Sequence, residues 1–244
     1  GDTMPISLIR SAWAGSAKYG ALVWSGDIVS TFECFRRQVQ AGLNMAIAGI
    51  PWWTTDIGGF HGARTDDPDF HRLYIRWFEY GCFCPVMRLH GNRNPQEGYG
   101  AEQIGSGSDN EIWSFGDKAY EISKKYIFLR ERLRDYIRTQ MKKAHEDGTP
   151  MMRPVFYDFP TDQESWNVED AYLFGPDLYV APVMEDHVTE REVYLPDGTA
   201  WFNAWTGEKY EGGQNVTVAA PLDTIPVFVK EGADAEKLLN IFSE

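Results

Sequence analysis

Four polar side chains stand just beyond apolar runs in the first part of the sequence. Arg10 follows Ile6-Ser7-Leu8-Ile9, and Asp27 follows Ala21-Leu22-Val23-Trp24. Asp56 comes soon after Met45-Ala46-Ile47-Ala48-Gly49-Ile50, and His90 ends the run Cys84-Pro85-Val86-Met87-Arg88-Leu89. In a parallel α/β barrel, groups just past the strands converge on one side of the sheet and build the site. Two carboxylates, a guanidinium and an imidazole gathered there are groups that grip hydroxyls and move protons.

Each of these residues also has a purely structural role open to it. Asp27 could cap the helix that follows. Asp56, ahead of Ile57-Gly58-Gly59-Phe60, could close an Asx turn in a glycine loop. Arg10 could be a buried ion-pair partner and His90 a hydrogen-bonded core histidine, while Trp24, Trp52, Trp53 and Phe60 are by default core aromatics.

The elements that must position these groups follow from periodicity. The four apolar runs read as strands, and Thr31 to Gly42 and Asp69 to Gly81 carry helical spacing, so strand and helix alternate as in βα units with a parallel sheet. Asn92 to Ser114 is rich in Gly, Asn and Ser and reads as a long loop covering a site. Gly116 to Asp147 gives the longest helical pattern, closed by Gly148 and Pro150. From about Asp170 the runs shorten and alternate: Tyr172-Leu173-Phe174, Leu178 to Ala181, Arg191 to Leu195, Val216-Thr217-Val218 and Pro226 to Val229. That pattern predicts an antiparallel sandwich, with the α/β part ending near residue 165.

Composition narrows the class. Apolar residues make up 43% and aromatics 14% of 244 residues, enough for a large core. The nine Trp and twelve Tyr are rings of the kind that line sugar-binding clefts as well as cores. A formal charge of -13 opposes a nucleic-acid partner, and no apolar run approaches the roughly 20 residues that span a bilayer. Cys34, Cys82 and Cys84 cannot all pair and lack a second cluster for zinc, so buried free thiols are expected. His61 and His71 are too isolated for a metal site, and no cofactor is expected. Unpaired cysteines and a start at Gly1-Asp2-Thr3-Met4 with no visible export signal favour the cytoplasm.

Arg10-Ser11-Ala12-Trp13-Ala14-Gly15-Ser16, Trp24-Ser25-Gly26-Asp27, Asp56-Ile57-Gly58-Gly59-Phe60 and Arg88-Leu89-His90-Gly91 occur in the order seen in glycoside hydrolase family 31, which the chain resembles. The likeness continues through Ala181-Pro182-Val183, Arg191 to Pro196 and Ala220 to Val229, similar to the β-sandwich domain after that family's barrel. It implies the second half of a (β/α)8 barrel over residues 1–165, then an antiparallel β-sandwich over 166–244. It further implies a retaining exo-α-glycosidase acting on terminal α-linked glucose or xylose of an oligosaccharide, without a cofactor. Asp27 would be the general acid/base, and Arg10, Trp24, Asp56, Phe60 and His90 would hold the sugar in the innermost subsite. Arg76-Trp77-Phe78 through Arg88-Leu89-His90-Gly91 looks more like the bacterial α-xylosidase-like members than the eukaryotic digestive enzymes.

One departure matters. Retention needs two carboxylates about 5 to 5.5 Å apart, and the family's nucleophilic aspartate, in a motif resembling Trp-x-Asp-x-Asn-Glu, has no counterpart ahead of Arg10. The expectation is that the polypeptide is part of a longer one or that another chain completes the site, and that alone it is inactive. The alternative is a non-catalytic carbohydrate-binding or regulatory protein that keeps the family fold.

Overall fold

The computed structural model describes residues 5–94, 108–232 and 234–243. Its first part is built on a parallel sheet in which β1 (Ser7–Ile9) pairs with β2 (Ala21–Trp24) and β2 with β3 (Trp53–Thr54). Between β2 and β3 lies α1 (Phe32–Ile47), started by Thr31, whose hydroxyl accepts from the Cys34 amide at 3.1 Å. Its inward stripe is Phe35, Val39, Leu43 and Ala46. The run Met45 to Ile50, expected as a strand, is therefore the last turn of α1 and its exit through Gly49 at φ 78°. Ala46 simply extends the helical stripe, and the strand comes later, at Trp53–Thr54.

Next comes α2 (Pro68–Cys82), begun by Asp67 and a proline at its first position. The segment expected as a fourth strand, Cys84 to Leu89, forms no regular strand. It nevertheless runs beside β3, with the Val86 amide donating to Trp53 O at 3.2 Å and the Ile57 amide to Arg88 O at 3.3 Å. Residues 95–107 of the expected covering loop lie outside the described residues. The single long helix expected from Gly116 is two, α3 (Gly116–Arg132) and α4 (Arg134–Glu146), separated by Leu133 at ψ -3°.

Everything after α4 is antiparallel. The strands β4 (Met152–Arg153), β5 (Tyr172–Phe174), β6 (Leu178–Val180), β8 (Ala200–Asn203), β9 (Lys209–Glu211) and β11 (Val227–Lys230) form one sheet in the order β4-β5-β6-β11-β8-β9. An antiparallel pair of non-consecutive strands, β7 (Glu190–Leu195) with β10 (Gln214–Ala219), packs on it, and α5 (Ala235–Ser243) follows β11. Of these, β4, β8, β9 and α5 have no counterpart in the sequence expectations.

The sheet is buried on both faces, which explains its continuous apolar runs. Leu173, Tyr179, Trp201 and Phe228 face Val193, Leu195 and Val218 of the β7/β10 pair. Tyr172, Phe174, Leu178, Val180, Val227 and Val229 instead join the core that holds Val23, Phe35, Trp53 and Trp77. Arg76 of α2 fastens the junction: its buried guanidinium donates to the carbonyls of Val188, Ala220, Pro221 and Thr224, the shortest at 2.6 Å to Ala220.

Candidate functional site

Register decides where the polar residues emerge. Ile9 is aligned with Val23 and Val23 with Trp53, so Arg10, the Ser25 to Asp27 turn and Thr55-Asp56 leave the parallel sheet at the same end. Gly26, at φ 73°, turns the chain between Trp24 and Asp27. Beyond the strands the loops are laced together by backbone bonds. Phe60 N donates to Ile28 O at 2.7 Å, Ser30 N to His61 O at 2.9 Å, and Asn92 N to Phe60 O at 2.6 Å. The loops after β2, after β3 and after the Cys84 to Leu89 segment thus form one continuous floor.

Asp27 is not the cap of α1, since Thr31 takes that position. Its carboxylate instead meets Arg10, Nη2 to Oδ2 at 2.8 Å, with both side chains about half exposed. His61 adds a ring nitrogen 3.1 Å from the Asp27 carbonyl oxygen. Arg10 is therefore a partner at the open site rather than a buried ion-pair residue.

Asp56 contrasts sharply with Asp27. It is fully buried, its Oδ1 accepts from Arg88 Nη1, and its amide donates to Ser25 Oγ at 3.3 Å. Its Oδ2 is buried with no hydrogen-bond partner among the described residues. Burial raises its pKa, opposed by the charges of Arg88 and His90. A buried carboxylate oxygen without a partner is costly, which makes Oδ2 an acceptor waiting for a donor. The Trp24 ring lies between the two ion pairs, 5.5 Å from Arg10 Cζ and 5.9 Å from Arg88 Cζ. Phe60 and His90 face each other with ring centroids 5.5 Å apart, and His90 is exposed rather than in the core.

All six residues expected at the site thus belong to the three laced loops and the strand ends that feed them. Trp53 is a core aromatic, as its alternative reading had it, and is 3% exposed. Cys82 and Cys84 are buried, their thiols pushed up to about 12 by desolvation, and Cys34 is half-buried. Among the described residues no cluster of His, Cys, Asp and Glu is placed to hold a metal ion, and no helix is long and apolar enough to cross a membrane.

The model of the glycosyl hydrolases family 31 TIM-barrel domain matches residues 1–140, and that of the family's C-terminal domain matches residues 148–233. The chain belongs to glycosyl hydrolase family 31. An α-xylosidase of Saccharolobus solfataricus is 39% identical over 93% of this chain and 29% of its own length. Alpha-glucosidase 2 of Bacillus thermoamyloliquefaciens is 35% identical over 94% of this chain and 27% of its own. A crystal structure of a family 31 α-xylosidase from a soil metagenome, complexed with xylose, superposes with a TM-score of 0.91 at 54% identity. It is covered over 98% of this chain and 36% of that one. The chain thus spans less than a third of the length of these curated relatives.

For a family 31 chain, two contributions were not legible beforehand. Arg88 lies in the sequence only as part of the Arg88-Leu89-His90-Gly91 motif, yet it is the partner of Asp56. His61, too isolated in the sequence for a metal site, sits against the Asp27 backbone. Each was marked only by lying within two residues of a site residue or its motif.

Proposed function

We propose that this chain carries the acid/base side of the active site of an exo-acting retaining α-glycosidase, with Asp27 as the general acid/base. The observation that supports it most is the pairing of unlike carboxylates at one sheet end. Asp27 is half exposed beside Arg10, and Asp56 is buried with one oxygen unpartnered. The first can exchange protons with a leaving group and with water, and the second can grip a sugar hydroxyl.

In this reading Asp27 protonates the glycosidic oxygen as the bond to the anomeric carbon breaks. A second carboxylate, about 5 to 5.5 Å away in retaining enzymes, takes the glycosyl group. Asp27 then removes a proton from the water that releases the sugar. That nucleophile comes from outside the residues of this chain. Arg10 and Asp56 hold hydroxyls, His90 binds a neighbouring hydroxyl, and Trp24 and Phe60 flank the ring.

The favoured sugar is α-linked xylose. The xylose complex at 54% identity and the α-xylosidase of Saccharolobus solfataricus support that choice. Comparing kcat/KM of the full-length protein on p-nitrophenyl α-xyloside and α-glucoside tests it. Preference for the xyloside is expected, preference for the glucoside reassigns the sugar, and turnover of neither overturns the glycosidase reading.

A further inference from the structure

Arg93, two residues beyond Gly91, is 1% exposed and among the largest fully buried side chains of the protein. Among the described residues its hydrogen-bond partners are neutral oxygens, with the Asp56 charge near enough to oppose the effect of burial. Nη1 donates to Ser30 Oγ at 3.1 Å, Nη2 to Ile57 O at 3.2 Å, and Nε to Asn110 Oδ1 at 2.8 Å. Its Cζ also lies 4.6 Å from the Phe70 ring centroid. Burial pulls its pKa down to about 10, the direction expected of a cation held away from water. Sealing such a charge in the interior costs stability, and an apolar side chain of similar volume would pack there more cheaply.

The backbone is shaped around this guanidinium. A Cβ on Gly91 would lie 2.6 Å from Arg93 Cζ and Nη2, and one on Gly58 would lie 3.1 Å from Nη2. A Cβ on Gly59 would meet Ser30 at 2.8 Å. The partners are equally pointed. Ser30 follows Asp27 in the loop after β2, and Ile57 is the residue after Asp56 in the loop after β3.

We infer that Arg93 is a positioning residue whose fork clamps the Asp27 loop to the Asp56 loop, fixing where the proton-transferring carboxyl stands relative to the bound sugar. This rests on the reading of Asp27 as acid/base. A rigid planar fork with donors on three nitrogens suits such a cross-brace, and a lysine at the same place cannot bridge the same oxygens. The clamp touches neither substrate nor reacting atoms.

The test compares two substrates in the full-length protein: an aryl α-xyloside with a poor leaving group, which needs acid help, and α-xylosyl fluoride, which needs little. Three variants perturb the clamp differently. Arg93→Lys keeps the charge and loses the fork, Gly91→Ala pushes the guanidinium aside, and Ser30→Ala removes one arm without stranding a charge. Displacing a reacting group by an ångström costs about 100-fold. The aryl xyloside kcat/KM, which reports formation of the glycosyl-enzyme alone, is therefore expected to fall by roughly 10- to 100-fold, with that of the fluoride far less affected.

Asp27→Ala is measured in parallel. If Asp27→Ala separates the two substrates while all clamp variants slow both equally, in proportion to lost Tm, Arg93 is merely structural and the inference is wrong. If Asp27→Ala itself fails to separate them, the acid/base reading falls and the inference falls with it. Ser30→Ala decides the matter should Arg93→Lys not fold.

Discussion

Arg10 and Asp27 meet at 2.8 Å from adjacent strand ends, yet their side chains keep 59% and 48% of their exposure. An ion pair this open contributes about 1 kcal/mol or less to stability. Its place over the Trp24 ring, next to the Arg88–Asp56 pair, points to substrate handling instead. Arg10→Met is therefore expected to leave the unfolding midpoint nearly unchanged. A lost charged hydrogen bond to a hydroxyl should raise KM by about 10- to 100-fold. Steady-state kinetics beside a melting curve checks both, and a large drop in Tm with normal KM would contradict this role.

Arg88 and Asp56 should behave in the opposite way. Asp56 is fully buried, so Arg88→Met strands a carboxylate in the interior and should cost roughly 3 kcal/mol by chemical unfolding. Adding Asp56→Leu to it should recover much of that loss, because no charge then remains to be solvated. Additive losses in the double variant would show that the pair is not the source of the cost.

A second buried carboxyl gives a pH-dependent prediction. Glu79 lies beside Arg76 but is buried, and desolvation pushes its pKa up to about 8 against the pull of Arg76 and Tyr126. A carboxyl whose pKa is higher folded than unfolded favours the folded state at low pH, and that advantage is lost as pH rises through the folded value. Against Glu79→Gln, which stays neutral throughout, the wild-type Tm should fall steadily as pH rises from the ordinary value of 4.5 towards 8, then level off. A Tm difference independent of pH over that window would rule this out.

The residue before Asp56 is braced from α2. Trp77 Nε1 donates to Thr55 Oγ1 at 2.9 Å, and the indole stacks on Phe35 with centroids 4.9 Å apart. Thr55→Val keeps the shape and leaves a buried N–H without an acceptor, which should cost about 1 to 3 kcal/mol. Equilibrium unfolding measures it, and an unchanged midpoint would mean that another acceptor takes over.

The strand-end residues were legible because register, not contact, brings them together. β2 reads directly as Ala21 to Trp24, and the polar residues after it had to emerge at one end. β3 is hard to place from sequence because a short apolar run such as Met45 to Ile50 fits helix and strand alike, and α1 claims its first half. The true β3 is two residues long and looks like a corner. Arg93 left no trace in periodicity. Its role depends on three oxygens brought from 17 to 63 residues away, a relation that only the folded loops create.

The most direct test of the central claim is Asp27→Ala in the full-length protein, assayed with and without azide on an aryl α-xyloside whose activated leaving group departs without acid help. If Asp27 is the acid/base, release of the glycosyl group stalls for want of a base, and azide, which needs no deprotonation, attacks in place of water. The account predicts that azide restores turnover and that the product is the α-configured glycosyl azide, as retention requires. Activity unaffected by the substitution, or lost without any azide product, would contradict it.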